Sequence, residues 1–353
     1  MSLAAAVTAG TLNEAVIPAL AARRARPSPP LWQEFALEAV RLLAPELREV
    51  ESRIASRCGG IAGPLPEACR YLVTADGKRL RPVLALLGAR IAGAGRSRAI
   101  HMAAAAELVH SASLLHDDVL DDGTRRRGKE AVRVIWGNRI SILGGNHLLV
   151  AALLELSACE AGDTESMLRV LDELVEGEVM QHALRTQPIV TAAVYQEVVA
   201  RKTASLIGWP VSAAARGTPA ARPLAHYGFH LGIAFQMVDD LLDVTGEAAK
   251  VGKNLASDVR EGKPSLPLVA ACEIFPEAAR EARRLFRLPE DERTGAYLDP
   301  LMHWLKHPRT LAAARGWIQS TTRQALNGLD ALPPSEARSL LERATLALEH
   351  RAL

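Results

Sequence analysis

The chain reads Leu-Leu-His-Asp-Asp-Val-Leu-Asp over residues 114–121 and Phe-Gln-Met-Val-Asp-Asp-Leu-Leu-Asp over residues 235–243. Each stretch sets three aspartates in an apolar run with helical spacing. In a helix the first and last aspartates of such a DDxxD group, four positions apart, lie on one face. Carboxylates repel one another at that spacing and are costly to bury unless a cation neutralises them. The two groups therefore predict a shared divalent cation, and Mg²⁺ bridging a phosphorylated substrate fits best.

The remainder of the chain is also predicted to be helical. Apolar residues such as Trp32, Ala36 and Val40 recur at helical intervals, and the alternating patterns typical of strands are missing. No shift in composition marks a domain boundary, and two groups that share a cation need to face each other. We therefore expect an all-α fold, one large single-domain helical bundle around a central cavity over residues 31–353. Helix connections are expected at clusters of breakers: Gly59-Gly60, Gly63-Pro64, Gly93 to Gly95, Gly217 to Pro219 and Pro333-Pro334.

Composition and charge argue against several classes of protein. With 42 basic and 40 acidic residues, the formal net charge is +2, which gives no support to a nucleic-acid partner. No run of about 18 uncharged apolar residues occurs, so no membrane span is predicted. The four cysteines lack metal-ligand spacing and are interpreted as thiols of a reducing compartment, which predicts a cytoplasmic protein. Residues 1–30, rich in Ala, Arg and Pro, are predicted to be a poorly ordered N-terminal extension rather than a transit peptide.

Basic residues follow the acidic groups or stand in short glycine-bearing segments. Lys78 and Arg81 are three residues apart and share a face if that segment is helical. Arg126 and Arg127 come directly after the first aspartate group. Guanidinium groups bind phosphate oxygens in pairs, so Lys78, Arg81 and one of these two arginines predict a diphosphate site that needs no metal. Further lysines are candidates for a second, metal-bound diphosphate: Lys202, Lys253 and Lys263.

Six motifs in order along the chain resemble one family, the trans-isoprenyl diphosphate synthases or polyprenyl synthetases. The resemblance runs from about Lys78 to Pro267. It implies the isoprenoid synthase type of all-α fold and a prenyltransferase that condenses isopentenyl diphosphate with an allylic diphosphate. The motifs are GKRLRP (77–82), LLHDDVLDDGTRRRG (114–128), GEVMQ (177–181), KTASL (202–206), LGIAFQMVDDLLDVTG (231–246) and GKNLASDVREGKPSLP (252–267).

The resemblance also implies a role for individual residues. Asp117, Asp121 and Asp239 would bind three Mg²⁺ ions that hold the allylic diphosphate, with Asp118, Asp240 and Asp243 in support. Lys202, Thr203 and Gln236 would be the catalytic residues, whose oxygen atoms stabilise the allylic cation formed when the diphosphate leaves. The basic side chains expected on the allylic diphosphate are Arg126, Lys202, Lys253 and Lys263. Those expected on isopentenyl diphosphate are Lys78, Arg81, His110 and Arg127.

Product length is predicted from the residues just before the first aspartate group. In the family these residues form the floor of the pocket into which the product grows, and a bulky aromatic there blocks elongation by filling volume. Ala112 and Ser113 are both small, and 147–153 contains no aromatic plug. We therefore expect a medium- to long-chain product, longer than about 20 carbons.

Two other activities and some departures from the family pattern stay open. A class I terpene cyclase uses the same metal-triggered ionisation but normally lacks the isopentenyl site. A catalytically silent subunit of a heteromeric synthase would show eroded aspartates, and none is eroded here. Asn146-His147 replaces the usual Asp-aromatic pair, Asp76 replaces a glycine, and Ser265 stands where threonine is usual. The resemblance further implies a homodimer, for which the apolar segment Ile140 to Leu156 is a candidate interface.

Overall fold

In the computed structural model, residues 30–75, 77–185, 189–246 and 256–352 are described. Apart from one short hairpin, the regular elements of these residues are helices, and the all-α prediction is confirmed. The elements are α1 (Pro30–Arg57), α2 (Leu65–Val73), α3 (Leu80–Ala92), α4 (Arg96–Leu120), β1 (Arg125–Arg126), β2 (Lys129–Glu130), α5 (Val132–Leu156), α6 (Ala161–Leu184), α7 (Ala192–Val199), a π-helical turn (Ala200–Ala204), α8 (Ser205–Ala213), α9 (Ala221–Thr245), α10 (Ser257–Arg260), α11 (Leu266–Ile274), α12 (Pro276–Leu285), two 3₁₀ turns (Glu290–Glu292 and Gly295–Tyr297), α13 (Asp299–Leu305), α14 (Pro308–Leu329) and α15 (Glu336–His350).

The chain divides into two compact units, and the first contains the first aspartate group. Of the described residues it comprises 30–75, 77–168, 209–225 and 331–343. Helix α4 is its central element and packs against α1, α3 and α5. Of the residues predicted at helical intervals on α1, Trp32 and Val40 are buried, at 8% and 7% exposed, whereas Ala36 is only half-buried. Burial of this apolar face stabilises the helix that carries the first aspartate group.

The second unit contains the second aspartate group. Of the described residues it comprises 169–185, 189–208, 226–246, 256–330 and 344–352. Its core includes Val244 on α9, Val259 on α10, Leu268 on α11 and Leu301 on α13. These contacts place α10 and α11 against the end of α9, where the aspartates lie. The prediction of a single domain over residues 31–353 stays a prediction.

A β-hairpin between α4 and α5 was missed by the sequence analysis. Arg125 pairs with Glu130 and Arg126 with Lys129, while the two turn residues Arg127 and Gly128 have φ values of 50° and 80°. Two consecutive residues with positive φ are typical of the type I′ hairpin turn. Strands of two residues are too short to show an alternating pattern, so the expectation that strands are absent was wrong here. The hairpin orients the arginines that follow the first aspartate group.

Most helix boundaries agree with the predicted breakers. Gly93 ends α3 in a left-handed conformation, and Gly217 and Pro333 fall in connections between helices. Lys78 and Arg81 do not share a helical face, because α3 begins at Leu80 and Lys78 precedes the helix. Three of the predicted features lie outside the described residues: the predicted extension over residues 1–30 except Pro30, which begins α1, together with Asp76 and Lys253.

One described helix is long and apolar enough, by length and composition alone, to pass as a candidate membrane span. It is α5, whose most apolar window has a mean hydropathy of 1.3 and is 44% buried within the protein. A core helix satisfies the same criteria, so the predicted lack of a membrane span stays a prediction.

Candidate active site

The first aspartate group lies at the end of α4, as its spacing predicts. The backbone N–H of Asp121 donates to the carbonyl of Asp117 at 2.9 Å, which places these two residues one helical turn apart. Asp118 is fully buried, and its Oδ1 accepts hydrogen bonds from Arg126 Nε at 2.8 Å and Nη2 at 2.6 Å. The hairpin thus returns Arg126 to the aspartates that precede it by eight residues.

Helix α9 carries the second group, and its three aspartates have different environments. Asp239 is 43% exposed on its side chain and lies 3.5 Å from Arg351. Asp240 is almost fully buried. Asp243 accepts hydrogen bonds from Ser257 N at 3.3 Å and Asp258 N at 3.2 Å. These bonds satisfy backbone donors at the start of α10, so Asp243 stabilises that helix terminus.

Asp240 accepts three hydrogen bonds. Oδ2 receives the Tyr195 hydroxyl at 2.7 Å and the Leu266 backbone N–H at 2.9 Å, and Oδ1 receives Gln236 Nε2 at 2.7 Å. Burial raises the pKa of Asp240 to about 6, although these three bonds act in the opposite direction. Nearby, burial and the charges of Asp240 and Asp243 raise the pKa of Asp258 to about 8.

The residues predicted to stabilise the cation come together at a π-helical turn. Thr203 lies in this turn, and its hydroxyl donates to Gln236 Oε1 at 2.9 Å. A π-helical turn widens the helix and frequently occurs at functional sites. Lys202 in the same turn donates to Gln181 Oε1 at 2.7 Å and forms an ion pair with Glu178. Glu178 and Gln181 both belong to the GEVMQ motif, so the motif holds Lys202.

Lys263, the other described lysine expected on the allylic diphosphate, also contacts a carboxylate. Its Nζ lies 2.5 Å from Glu261 Oε2. Lys202 and Lys263 are therefore charge-balanced by neighbouring glutamates, and a diphosphate would compete with those glutamates for them.

A cluster of positive charge surrounds His110 in the first unit. Burial, followed by the charges of Arg81, Arg127, Arg126 and Arg79, lowers the pKa of His110 well below its ordinary value. His110 is therefore neutral at pH 7, and it lies close to two of the residues predicted to share its ligand, Arg81 and Arg127. Asp118 and Glu107 partly offset the charges of Arg126, Arg79 and Arg127, and an anionic ligand would offset them further. Lys78, the fourth predicted residue, lies with its Nζ 5.1 Å from the centroid of the Trp32 ring.

Arg79 and two glutamates support this cluster and were missed by the sequence analysis. The Arg79 side chain is 1% exposed, and the backbone of Arg79 is left-handed, with a φ of 49°. It donates to Glu51 at 2.6 Å and to Glu107 at 2.9 Å. Glu107 in turn lies 3.7 Å from Arg127. This buried triad connects the GKRLRP segment to Arg127, and no local pattern in the sequence pairs residues so far apart.

The chemistry of the aspartate groups fits Mg²⁺. Their donors are all oxygen, which this ion prefers. Within the described ranges, no three His, Cys, Asp or Glu side chains converge to enclose an ion. Protein carboxylates usually supply only one or two of the ligands of Mg²⁺, while phosphate oxygens and water complete the shell. Asp118 Oδ2 is buried and has no hydrogen-bond partner among the described residues, so an ion-bound water would satisfy it.

Ala112 and Ser113, from which product length was predicted, lie on α4. Ala112 is fully buried, whereas Ser113 is half-buried and donates to the carbonyl of His110 at 2.9 Å. Further along, His147 of the unusual Asn146-His147 pair contacts the Arg57 carbonyl at 2.8 Å through Nε2. His147 thus connects α5 to α1. Its effect on product length stays a prediction.

Comparison with protein families and with characterised proteins gives concordant results. Residues 63–297 match the polyprenyl synthetase family model. The all-trans-nonaprenyl-diphosphate synthase (geranyl-diphosphate specific) of Rhodobacter capsulatus is 34% identical over 291 residues, covering 79% of this chain and 87% of that protein. The octaprenyl diphosphate synthase of Haemophilus influenzae is 32% identical over 309 residues, covering 86% and 93%.

Solved structures agree with the sequence relatives. A polyprenyl synthase from Caulobacter crescentus, complexed with calcium and isoprenyl diphosphate, has a TM-score of 0.83 and 33% identity over 90% of this chain and 98% of that chain. A decaprenyl diphosphate synthase from Rhodobacter capsulatus has a TM-score of 0.83 and 32% identity over 90% of this chain and 99% of that chain.

Proposed function

Because this chain belongs to the polyprenyl synthetase family, we propose that it condenses isopentenyl diphosphate with an allylic diphosphate, in the trans configuration, to a polyprenyl diphosphate. The prediction of the family, and with it of a prenyltransferase, is confirmed. The observation that carries the proposal is the group of basic side chains in the first unit, where Asp118 holds Arg126 at 2.8 Å and Glu107 lies 3.7 Å from Arg127. A metal-free diphosphate site is needed for condensation and is normally lacking in a terpene cyclase.

The side chains of the second unit would act on the allylic diphosphate. Departure of the diphosphate leaves a carbocation, which partial negative charges stabilise when they are fixed in advance. Thr203 and Gln236 carry suitable oxygens and are already hydrogen-bonded to each other. Lys202 would neutralise charge on the leaving diphosphate. The double bond of isopentenyl diphosphate then forms the new C–C bond with the cation, and the released pyrophosphate is the base that takes the proton. No protein nucleophile is required.

Arg81, Arg127, His110 and Lys78 would position the isopentenyl diphosphate. Arginine binds two phosphate oxygens at once, so it fixes orientation as well as charge. Glu107 and Arg79 keep Arg127 in place. Orientation of both reactants is a large part of the rate enhancement in a condensation of this kind.

Three Mg²⁺ ions are part of the proposal, held by Asp117, Asp121 and Asp239. When bound, Mg²⁺ neutralises the diphosphate and makes it a better leaving group. The oxygen-only donor set supports this choice. Asp118, Asp240 and Asp243 would have a supporting role, because each of these carboxylates already accepts hydrogen bonds from other protein groups.

A product longer than about 20 carbons is supported by two lines of argument. Ala112 and Ser113 are small, and the relatives are named as octaprenyl, nonaprenyl and decaprenyl diphosphate synthases. The length within this range would depend on residues deeper in the pocket.

A homodimer in the cytoplasm completes the proposal. On α5, Leu143, Val150 and Leu154 are 53%, 55% and 49% exposed and recur at intervals that place them on one face. An exposed apolar stripe of this kind is typical of an interface. One relative is named component 2 of a heptaprenyl diphosphate synthase, from Geobacillus stearothermophilus. Size-exclusion chromatography with light scattering would show whether this chain assembles with itself.

The test is incubation of the purified chain with labelled isopentenyl diphosphate, Mg²⁺ and primers of ten, fifteen or twenty carbons, each run separately. We expect label in an apolar polyprenyl product that depends on both substrates. Cyclic hydrocarbon formed from the allylic substrate alone would favour the cyclase. A lack of incorporation with every primer would favour the silent subunit.

A further inference from the structure

A chain of hydrogen bonds joins Tyr195 to Thr203 through two intervening side chains. The Tyr195 hydroxyl donates to Asp240, Gln236 donates to the other oxygen of Asp240, and Thr203 donates to Gln236. The three distances are 2.7, 2.7 and 2.9 Å. All four residues belong to the second unit, and Tyr195 lies outside the six family motifs.

The direction of each hydrogen bond follows from Asp240. A carboxylate can only accept, so the amide nitrogen of Gln236, not its oxygen, must face Asp240. The amide oxygen consequently faces Thr203, and the Thr203 hydroxyl must direct its hydrogen toward that oxygen. The lone pairs of Thr203 then point away from Gln236. Orientations of amide and hydroxyl groups are assigned from such networks, and here an acceptor-only residue fixes the assignment.

Tyr195 is the first donor in this series of hydrogen bonds. Its side chain is almost fully buried, and burial together with Asp240 raises the pKa of Tyr195 well above its ordinary value. The phenol therefore keeps its proton and donates it. With the Leu266 N–H, it occupies Asp240 Oδ2 and leaves only Oδ1 for Gln236. A carboxylate held by two donors on one oxygen cannot rotate without breaking both bonds.

We infer that Tyr195 is a positioning residue for the prenyl transfer, because through Asp240 and Gln236 it turns the lone pairs of Thr203 toward the position of the allylic cation. The inference rests on the proposed function. A flipped Gln236 amide would present N–H groups, instead of its oxygen, to Thr203. The Thr203 hydroxyl hydrogen would then no longer be held toward Gln236, and N–H and O–H hydrogens repel a cation. The effect of Tyr195 is therefore specific to charge at the reacting carbon.

Tyr195→Phe tests the inference because it removes one oxygen atom and keeps the ring. Its matched control is Tyr227→Phe, since Tyr227 is also fully buried in the second unit and its hydroxyl accepts a hydrogen bond from Thr345 at 3.2 Å. Both variants lose a buried hydroxyl and should lose similar stability. We expect kcat to fall about tenfold or more in Tyr195→Phe, with KM for isopentenyl diphosphate unchanged, and to stay within about twofold in Tyr227→Phe.

A pair of inhibitors separates positioning from general damage. One is an ammonium analogue of the allylic diphosphate, with nitrogen at the carbon that becomes positive, and the other is its neutral carbon isostere. Both carry the same diphosphate, so any effect on metal or lysine contacts cancels in the ratio of their affinities. We expect Tyr195→Phe to lower the preference for the ammonium analogue about tenfold, while Tyr227→Phe preserves it.

A second variant keeps the test decisive if Tyr195→Phe does not fold. Asp240→Asn retains size but offers both a donor and an acceptor to Gln236, so it also permits the flipped amide. It should lose the same preference for the ammonium analogue. Non-additive effects of Tyr195→Phe and Thr203→Val on kcat would further support a shared path.

The outcomes distinguish this inference from the proposed function. If the unmodified protein incorporates no isopentenyl diphosphate, the proposed function fails first. If the unmodified protein is active and Tyr195→Phe or Asp240→Asn retains the full preference for the ammonium analogue, the positioning role is wrong while the prenyltransferase stands.

Discussion

Arg126 donates two hydrogen bonds to one oxygen of Asp118, at 2.8 Å from Nε and 2.6 Å from Nη2. Asp118 is fully buried, whereas the Arg126 side chain is 22% exposed. The buried carboxylate therefore fixes the direction of a guanidinium group that remains accessible to a ligand. Arg126 was assigned to the allylic diphosphate, and this contact explains how a residue in a short hairpin is held in place.

Asp118→Asn is expected to impair the enzyme even though Asp118 is not assigned as a direct metal ligand. Asparagine cannot offer a charged acceptor, and a hydrogen bond to a charged group contributes about 1.5–3 kcal/mol. We expect kcat/KM for the allylic primer to fall at least about tenfold. Initial rates at several primer concentrations measure the change.

Asp122→Asn is the matched control for that experiment. Asp122 also pairs with an arginine, Arg133 at 2.6 Å, but its side chain is 85% exposed. Exposed ion pairs contribute little, so the rate should stay within about twofold. Equal losses in the two variants would contradict the role given to Asp118.

Arg127→Lys is expected to weaken binding of isopentenyl diphosphate selectively. Lysine keeps the charge but cannot bind two phosphate oxygens at once, and it lacks the planar group that lies 3.7 Å from Glu107. We expect KM for isopentenyl diphosphate to rise about tenfold and KM for the primer to change little. Arg125→Lys is the control, because Arg125 is exposed on the same hairpin and donates to the Gly128 carbonyl. A rise in both KM values with Arg127→Lys would argue against a separate isopentenyl site.

Ala112→Phe is expected to shorten the product. In the proposed function Ala112, which is fully buried on α4, lies beside the growing chain, so a phenyl ring there would fill space that the chain uses. Overpacking also costs about 1–3 kcal/mol of stability, so a thermal melt should accompany the assay. Chromatography of the products measures chain length, and Ala112→Ser, which adds one small atom, should leave it unchanged. An unchanged product ladder in a folded Ala112→Phe would show that Ala112 does not line the pocket.

The sequence predicted the helical fold well because helix formation depends on local patterns. Helical periodicity and helix breakers act over a few residues, and α4 and α9 carry their aspartates as the spacing required. The DDxxD spacing likewise fixes Asp117 and Asp121 one turn apart. Features that need only neighbouring residues were therefore accessible.

The supporting contacts could not be predicted because they join residues distant in sequence. Tyr195 meets Asp240 across 45 positions, and Arg79 meets both Glu51 and Glu107 across 28. A buried tyrosine or arginine shows no periodicity that names its partner. The hairpin at Arg127 was not predicted for a different reason: its strands have only two residues each, too few to show an alternating pattern.

Asp163→Asn is expected to destabilise the first unit in a pH-dependent manner. Burial alone would raise the pKa of Asp163, but hydrogen bonds and charge from Arg98 lower it below its ordinary value. A lowered carboxylate pKa contributes stability that is present above the unfolded pKa and is lost as pH falls through the folded pKa. We expect a loss of about 2 kcal/mol at pH 7, less than for a fully buried pair because the Arg216 side chain is 42% exposed.

Urea unfolding at pH 7 and again well below pH 4 measures this difference. The gap between Asp163→Asn and the unmodified protein should narrow at the lower pH. Glu277→Gln removes an exposed ion pair with Arg280 and should change stability by less than about 0.5 kcal/mol at either pH. A gap that stays constant with pH would show that the charge of Asp163 is not the source of its contribution.

Gly177→Ala is expected to disturb the π-helical turn that carries Lys202 and Thr203. A Cβ atom at Gly177 would lie 2.6 Å from the Lys202 backbone nitrogen and 2.9 Å from its Cα, so the two backbones must separate. A shift of this kind in a catalytic segment lowers kcat by about 100-fold. Gly316→Ala is the control, because it lies within α14 with nothing within 4 Å of the added atom and should stabilise that helix by about 0.4–1 kcal/mol. Full activity in Gly177→Ala would show that the turn tolerates displacement and that its π-helical geometry is not needed for the reaction.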